Sequence, residues 1–304
     1  MTVRWCTTTL ECWCVACLGD SAVPHSARNN HTVPYSAGMN HLSTFALTFT
    51  RTAIVSACLA ATIVQAEMGS PDPDTWKVEL SVGAVRGTQS LFKGVLLQSR
   101  IDPLIGIELA KGRWFASSLN GVGYLLANSP SISVGVSANY MLGRKESRET
   151  RYRGLGDVAG SAAANGFFEW RPVKNAVTVY GNVLTATRSQ NGTLATLGAT
   201  VGLPVTTKLS AFIDIYANWA DTRYAQAYYG VSAAQSAASG YVTYTPKVGM
   251  LSRTPSVGLD YEWDKHWHVS GYVGATKLAS FAANSPVVAN RSQPVAAVLV
   301  TYKY

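Results

Sequence analysis

The chain has 304 residues, 14% of them charged and 47% hydrophobic, with a formal net charge of +8. Soluble domains carry about 25% charged residues, so this composition argues against one. No stretch reaches the ~18 apolar residues of a membrane helix. The basic balance comes without the stacking platform or binding motif of a nucleic-acid reader, so no nucleic-acid partner is expected.

Residues 1–38 show no sustained period, and they hold four of the five cysteines: Cys6, Cys12, Cys14 and Cys17. Cys12-x-Cys14-x-x-Cys17 has the look of a metal site. No folded segment lies nearby to hold it, so 1–38 is taken as a non-native or disordered extension. Met39 opens a polar lead with Arg51, followed by an apolar core from Ala53 to Val64 and the small-residue site Val64-Gln65-Ala66. That layout is a secretory signal peptide over 39–66. Val55-Ser56-Ala57-Cys58 imitates a lipoprotein box, but the apolar core runs on past Cys58. From residue 67 onward there is no cysteine, which excludes disulfides and thiol catalysis there.

From 67 to 304 the dominant signal is alternation with period two, which places alternate side chains on opposite faces of a strand. In the first strand Trp76, Val78, Leu80, Val82 and Ala84 share one face, and Lys77, Glu79, Ser81 and Gly83 the other, with Val85 an outlier on the polar side. The same pattern recurs around Val134, Leu197, Ile213, Leu259 and Val298. Polar faces carry Glu79, Asp214, Asp260, Glu262 and Lys303 in mid-strand, charges that a dry sandwich core could not hold unpaired. An apolar face toward lipid and a polar lumen satisfy both halves of the pattern. Closure removes the sheet edges that lipid does not tolerate. Aromatics at strand ends, including Trp76, Tyr140, Trp170, Trp219, Trp263 and Trp267, fit an interfacial girdle.

The expected fold is therefore all-β, a closed antiparallel transmembrane barrel of a Gram-negative outer membrane. About twelve strands are expected: 76–86, 101–110, 112–118, 121–127, 131–142, 161–171, 175–185, 194–204, 207–219, 255–263, 266–276 and 293–304. The third and fourth are short for spans, which leaves ten as the alternative. Short and long connections alternate, the longest being 220–254, except that 119–120 is short on the outer side, which also speaks for ten. Short turns belong in the periplasm and long loops outside, which puts both termini in the periplasm.

Few residues invite chemistry. His266 and His268, at i and i+2, are the only histidines after residue 67, so they share a strand face. A metal pair is conceivable there, but the turn position beside Trp267 favours an interfacial role. A hydrolase would need a histidine oriented beside a nucleophile, but these histidines lie near the expected periplasmic end, away from the outer leaflet and mouth where outer-membrane hydrolases work. No enzyme activity, metal or cofactor is expected. Arg144, Lys145, Arg148, Arg151 and Arg153 form a basic run in an outer loop, diluted by Glu146 and Glu149. Lipopolysaccharide phosphates suit such a run, and a merely solvated loop suits it equally.

One long stretch carries a resemblance: Trp219-Ala220-Asp221-x-Arg223-Tyr224-x-Gln226-x-Tyr228-Tyr229-Gly230-Val231, followed by Ser239-Gly240. Shorter pieces accompany it: Arg153-Gly154-Leu155-Gly156-Asp157, Asp264-x-His266-Trp267, Ser285-Pro286-Val287-Val288 and the closing Tyr302-Lys303-Tyr304. With these residues the segment 67–304 resembles the MipA/OmpV family of outer-membrane proteins. The resemblance implies that Tyr302 and Tyr304 form the C-terminal signal read by the barrel-assembly machinery, although the family usually ends in Phe. It also implies a scaffold bridging a lytic transglycosylase and a penicillin-binding protein in murein metabolism. Asp221, Arg223, Tyr224 and Gln226 read either as a plug or ligand-contacting loop, or as an ion pair and hydrogen bonds pinning that loop to the wall; the second is preferred. A channel for small solutes or peptides ranks after the scaffold, and a surface adhesin third. The short periplasmic turns count against a scaffold, and a twelve-strand bore filled by side chains counts against a channel.

Overall fold

A computed structural model describes residues 75–87 and 100–304. The cysteine cluster, the signal peptide and Cys58 lie outside the described residues, as does most of the first long connection.

Twelve strands form one closed barrel in which each pairs antiparallel with its sequence neighbours, and β1 closes on β12. They are β1 (Trp76–Gly87), β2 (Arg100–Lys111), β3 (Trp114–Ser117), β4 (Gly121–Asn128), β5 (Ile132–Met141), β6 (Ser161–Val173), β7 (Val177–Ala186), β8 (Thr193–Pro204), β9 (Leu209–Ala220), β10 (Gly249–Glu262), β11 (Trp267–Leu278) and β12 (Ser292–Lys303). The count is twelve rather than ten. The two short strands are real and pair with each other, Trp114 opposite Tyr124 and Ser117 opposite Gly121. Gly121 sits at φ +75°, and a Cβ there would lie 2.0 Å from the Ala138 carbonyl oxygen, so this tight turn requires glycine.

The faces follow the alternation. Leu80, Val82, Ile213, Ile215, Leu259 and Val298 point outward and are exposed, whereas Glu79, Asp214, Asn218, Thr254 and Thr301 point inward and are buried. Apolar side chains facing lipid and a backbone paired around the ring are what a bilayer demands. The lumen departs from the expected polar lining. Val85, the outlier in the alternation, packs inside with Leu104, Phe212, Tyr272, Val295 and Leu299. A second internal group joins Phe115 and Phe167, edge to face at 5.5 Å, with Ala110 and Leu125. Side chains thus fill much of the bore, as in small barrels generally.

β10 starts at Gly249, six residues before its expected start. A bulge between Met250 and Ser252 explains why. It turns both Leu251 and Ser252 inward, 1% and 0% exposed, and so breaks the alternation at the strand's beginning.

Candidate functional site

The connections at one end are short turns; at the other, apart from the 118–120 turn between β3 and β4, the described ones are longer and carry helical turns. The 221–248 connection contains helix α1 (Thr222–Tyr229) and helix α2 (Ala233–Ser239), and a short α3 (Ser280–Ala283) lies between β11 and β12. These helices and the 143–160 loop meet over the long-loop mouth and form a plug.

Local chemistry sets each piece. Asp221 caps α1: its carboxylate accepts from the Tyr224 backbone N–H at 2.7 Å. Ser232 and Gln235 form a capping box on α2, and Gly240 ends that helix in the left-handed region. Positions i, i+1, i+4 and i+5 of α1 share a face. They are Tyr224, Ala225, Tyr228 and Tyr229, all at most 2% exposed. The rings of Tyr224 and Tyr228 stack at 4.5 Å, and the Tyr229 ring meets Phe281 edge-on at 6.5 Å. Met141, Leu184, Leu194 and Leu251 on the strand tops complete an apolar core with Tyr152, Leu155 and Val287. The Tyr228 hydroxyl donates to the Leu142 carbonyl at 2.6 Å, Ser285 donates to the Tyr229 carbonyl at 2.6 Å, and Gln235 donates to the Leu155 carbonyl at 2.6 Å. Burial pushes the Tyr228 phenol up to about 12 and the Tyr224 and Tyr229 phenols well up, so all three stay neutral.

The long motif therefore builds the plug, with roles that differ from an internal ion pair. Asp221 is committed to the helix cap, and Arg223 is exposed. Gln226 is half-buried, and its carbonyl accepts from Gly230, which closes α1. Trp219 stands on the outward face at the top of β9. Gly192 (φ +69°) lets α1 approach: a Cβ there would lie 2.2 Å from the Asp221 carboxylate.

The basic run does not stay together. Arg144 is not a surface phosphate contact: it is 2% exposed, inside the plug. Its backbone bridges to Val158, its Nη1 donates to the Tyr228 carbonyl at 3.3 Å, and its guanidinium lies 5.2 Å from the centre of the Tyr152 ring. Loss of hydration lowers its pKa from the ordinary arginine value. Lys145 pairs with Asp157 at 2.8 Å. Arg148 lies in a 3-10 turn, and Arg151 and Arg153 remain exposed.

Glu146 organises this loop, accepting from the Gly154 and Gly156 backbone N–H groups at 2.7 and 3.1 Å. That accounts for the Gly154-Leu155-Gly156 piece of the sequence: two glycines at positive φ turn Leu155 into the core. Asp157 also accepts from the Glu146 backbone N–H at 2.8 Å, and its pKa is lowered, chiefly by the Lys145 hydrogen bond. A depressed carboxylate favours the native loop above its unfolded value and loses that contribution as pH falls through the folded value. Exchange protection of the Glu146 amide should therefore match at pH 7 and pH 5 and decline only below about pH 4. A decline already at pH 6 would implicate another group.

The rest of the lumen is a hydrogen-bonded lattice. Asp214 Oδ1 accepts from Tyr180 at 3.0 Å and Thr200 at 2.7 Å, and Asn218 joins Thr196 to Ser252. Lys77 pairs with Glu79 at 3.2 Å, Arg171 with Glu169 at 2.5 Å, and His268 faces Asp260 at 3.7 Å. All of these ion pairs sit toward the short-turn end.

The two histidines separate. His266 Nδ1 donates to the Lys303 carbonyl at 2.8 Å, and its ring stacks on Tyr302; His268 turns toward Asp260. Among the described residues no group of three metal-ligating side chains assembles. Tyr302 also packs on Trp267 at 5.0 Å, and the Tyr304 backbone N–H donates to the Val78 carbonyl at 2.9 Å. Sequence reasoning missed Glu146, Tyr152 and Ser285 as plug residues; only the Ser232-x-x-Gln235 spacing signalled a helix in that loop.

No curated protein matches the chain significantly. Among solved structures, the barrel is similar to the NanC porin, at 11% identity and TM-score 0.40 over 74% of this chain and all of that one. It is similar to the COG4313 outer-membrane channel of Pseudomonas putida F1, at 9% identity and TM-score 0.41 over 79% and 98% of the two chains. The Pseudomonas putida toluene transporter TodX follows at 10% identity and TM-score 0.37 over 83% and 95%. The family model described as MltA-interacting protein MipA matches residues 80–304. The chain, a twelve-strand outer-membrane barrel, belongs to the MipA family.

Proposed function

We propose that the protein is a membrane-anchored scaffold for murein enzymes rather than a conduit. The observation that carries this reading is the plug: tyrosines that are at most 2% exposed close the long-loop mouth over a bore already packed with side chains. The family description names an MltA-interacting protein, and the family resemblance implies the partner classes, a lytic transglycosylase and a penicillin-binding protein. The short-turn end and both termini face the periplasm in this reading. There the exposed Glu262, Trp263 and Tyr304 form the surface nearest such enzymes. Long loops outside meet lipopolysaccharide through Arg151 and Arg153, and Tyr302 and Tyr304 serve the barrel-assembly machinery.

Two measurements on the folded full-length protein decide between scaffold and channel. Immobilised barrel should capture a purified periplasmic lytic transglycosylase at micromolar concentration, and planar bilayers should show no stepwise conductance. Reproducible conductance steps without capture would overturn the scaffold and leave a channel.

A further inference from the structure

β3 has four residues, and β2 has twelve. β3 therefore pairs only with Glu108–Lys111 of β2. Above that, from Arg100 to Ile107, no described strand pairs with β2 on that side. On the far side, β4 leaves β5 at Ala138, and the Asn139 side chain donates to the Leu119 carbonyl. Among the described residues, two strand positions of the upper wall are thus unfilled. At ~4.8 Å per strand, the notch between β2 and β5 is on the order of 10 Å wide.

Backbone direction shows which groups line it. The Ser118 N–H donates to the Ile107 carbonyl, and the Ile107 N–H donates to Ser118 Oγ at 3.0 Å, so Ile107 presents its backbone to the β3 side. The parity of the strand gives Ile105, Pro103 and Ile101 the same direction. Pro103 thus stands on the open edge, where its missing N–H removes a donor that no strand could satisfy. The outward side chains here are apolar, so the notch lies at the depth of lipid. Unpaired backbone is tolerated at that depth where it is buried in protein or lines a cavity. A cavity of about 50 Å³ is present. It is lined from both faces of the wall, by Ile105 and Ile107 outside and by Glu79, Ser81 and Glu108 inside, with Ser118 at its sill. That is room for about four waters, a crevice the width of one chain.

We propose that this notch is a lateral portal from the outer half of the membrane into the lumen, admitting a single alkyl chain with a hydrogen-bond-donating head, an ammonium or a hydroxyl. The tail lies against Ile105 and Ile107. The head meets the carboxylates of Glu79 and Glu108, which oppose each other directly across β1 and β2. Glu79 is 2% exposed, and Lys77, 3.2 Å from its Oε1, is its one ion-pair partner among the described residues. The portal is independent of any periplasmic partner.

The test uses the full chain in liposomes with N-dodecylmaleimide dissolved in the bilayer, and peptide mass mapping to locate the alkylated thiol. Ser81→Cys, at the cavity, should react at least tenfold faster than Thr196→Cys, which is likewise half-buried and lumen-facing but lies across the barrel on β8. Ile105→Trp on the jamb, or Ser118→Trp at the sill, should bring the Ser81→Cys rate down to the Thr196→Cys level. Heat-modifiable gel mobility must confirm a folded barrel in each variant, and two blocking positions guard against one failing to fold. Equal rates at the two cysteines, indifference to both blocks, or equally fast reaction with a water-confined sulfonated maleimide would overturn the portal. Dodecylammonium should slow the reaction and dodecanoate should not; equal competition by both would overturn the assignment of the head group.

Discussion

Tyr229→Ala should unseat the plug. The side chain is 0% exposed, and its ring packs edge-on against Phe281, so truncation removes an aromatic from the centre of the long-loop core. Large-to-small changes of this kind cost about 3–5 kcal/mol. The loss should appear as earlier unfolding in a denaturant titration and as new conductance in bilayers that were silent before. Tyr229→Phe is the informative partner. The hydroxyl is buried without a hydrogen-bond partner, so removing it should be neutral or slightly stabilising. If Phe proved as damaging as Ala, the hydroxyl would have a partner of its own and packing would not be the dominant force.

Asp214→Ala is the second large effect. Its Oδ1 accepts from both Tyr180 and Thr200, while Oδ2 is buried without a hydrogen-bond partner. Alanine strands two hydroxyls inside the lumen, and a stranded buried polar group costs about 1–3 kcal/mol. Asp214→Asn keeps an oxygen acceptor for both donors and removes a buried charge. It should cost less than about 1 kcal/mol, or stabilise. Equal losses from the two substitutions would show that the charge itself is needed, through a cation or a coupled ion pair in the lumen.

The barrel was legible because its solvent is lipid outside and a packed lattice inside, and each imposes period two on the same strands. Leu80, Ile213 and Val298 announce the outer face without help from the rest of the fold. The plug was not legible in that way. Helices of seven or eight residues give too few turns for periodicity, and α1 hides its face in a run that reads equally as loop. Arg144 misled for a different reason. In a run of five cations nothing local distinguishes the one that turns inward, because its burial depends on Tyr152 and Tyr228, the latter 84 positions away. The start of β10 was lost to the bulge at Leu251, which shifts the parity on which strand reading relies.

The joint between β1 and β12 has a consequence for assembly. Glu79 lies opposite Lys303 and Arg86 opposite Ala296, so the ring closes through contacts more than two hundred positions apart. Such pairing forms late, since loop closure is costly until the intervening chain is ordered. Until the last strand arrives, β1 waits as an unprotected edge able to pair with a foreign strand. Losing the last dozen residues should therefore not yield a smaller barrel. It should leave eleven strands with two open margins, and the polypeptide would be held by chaperones or degraded before it reached the bilayer.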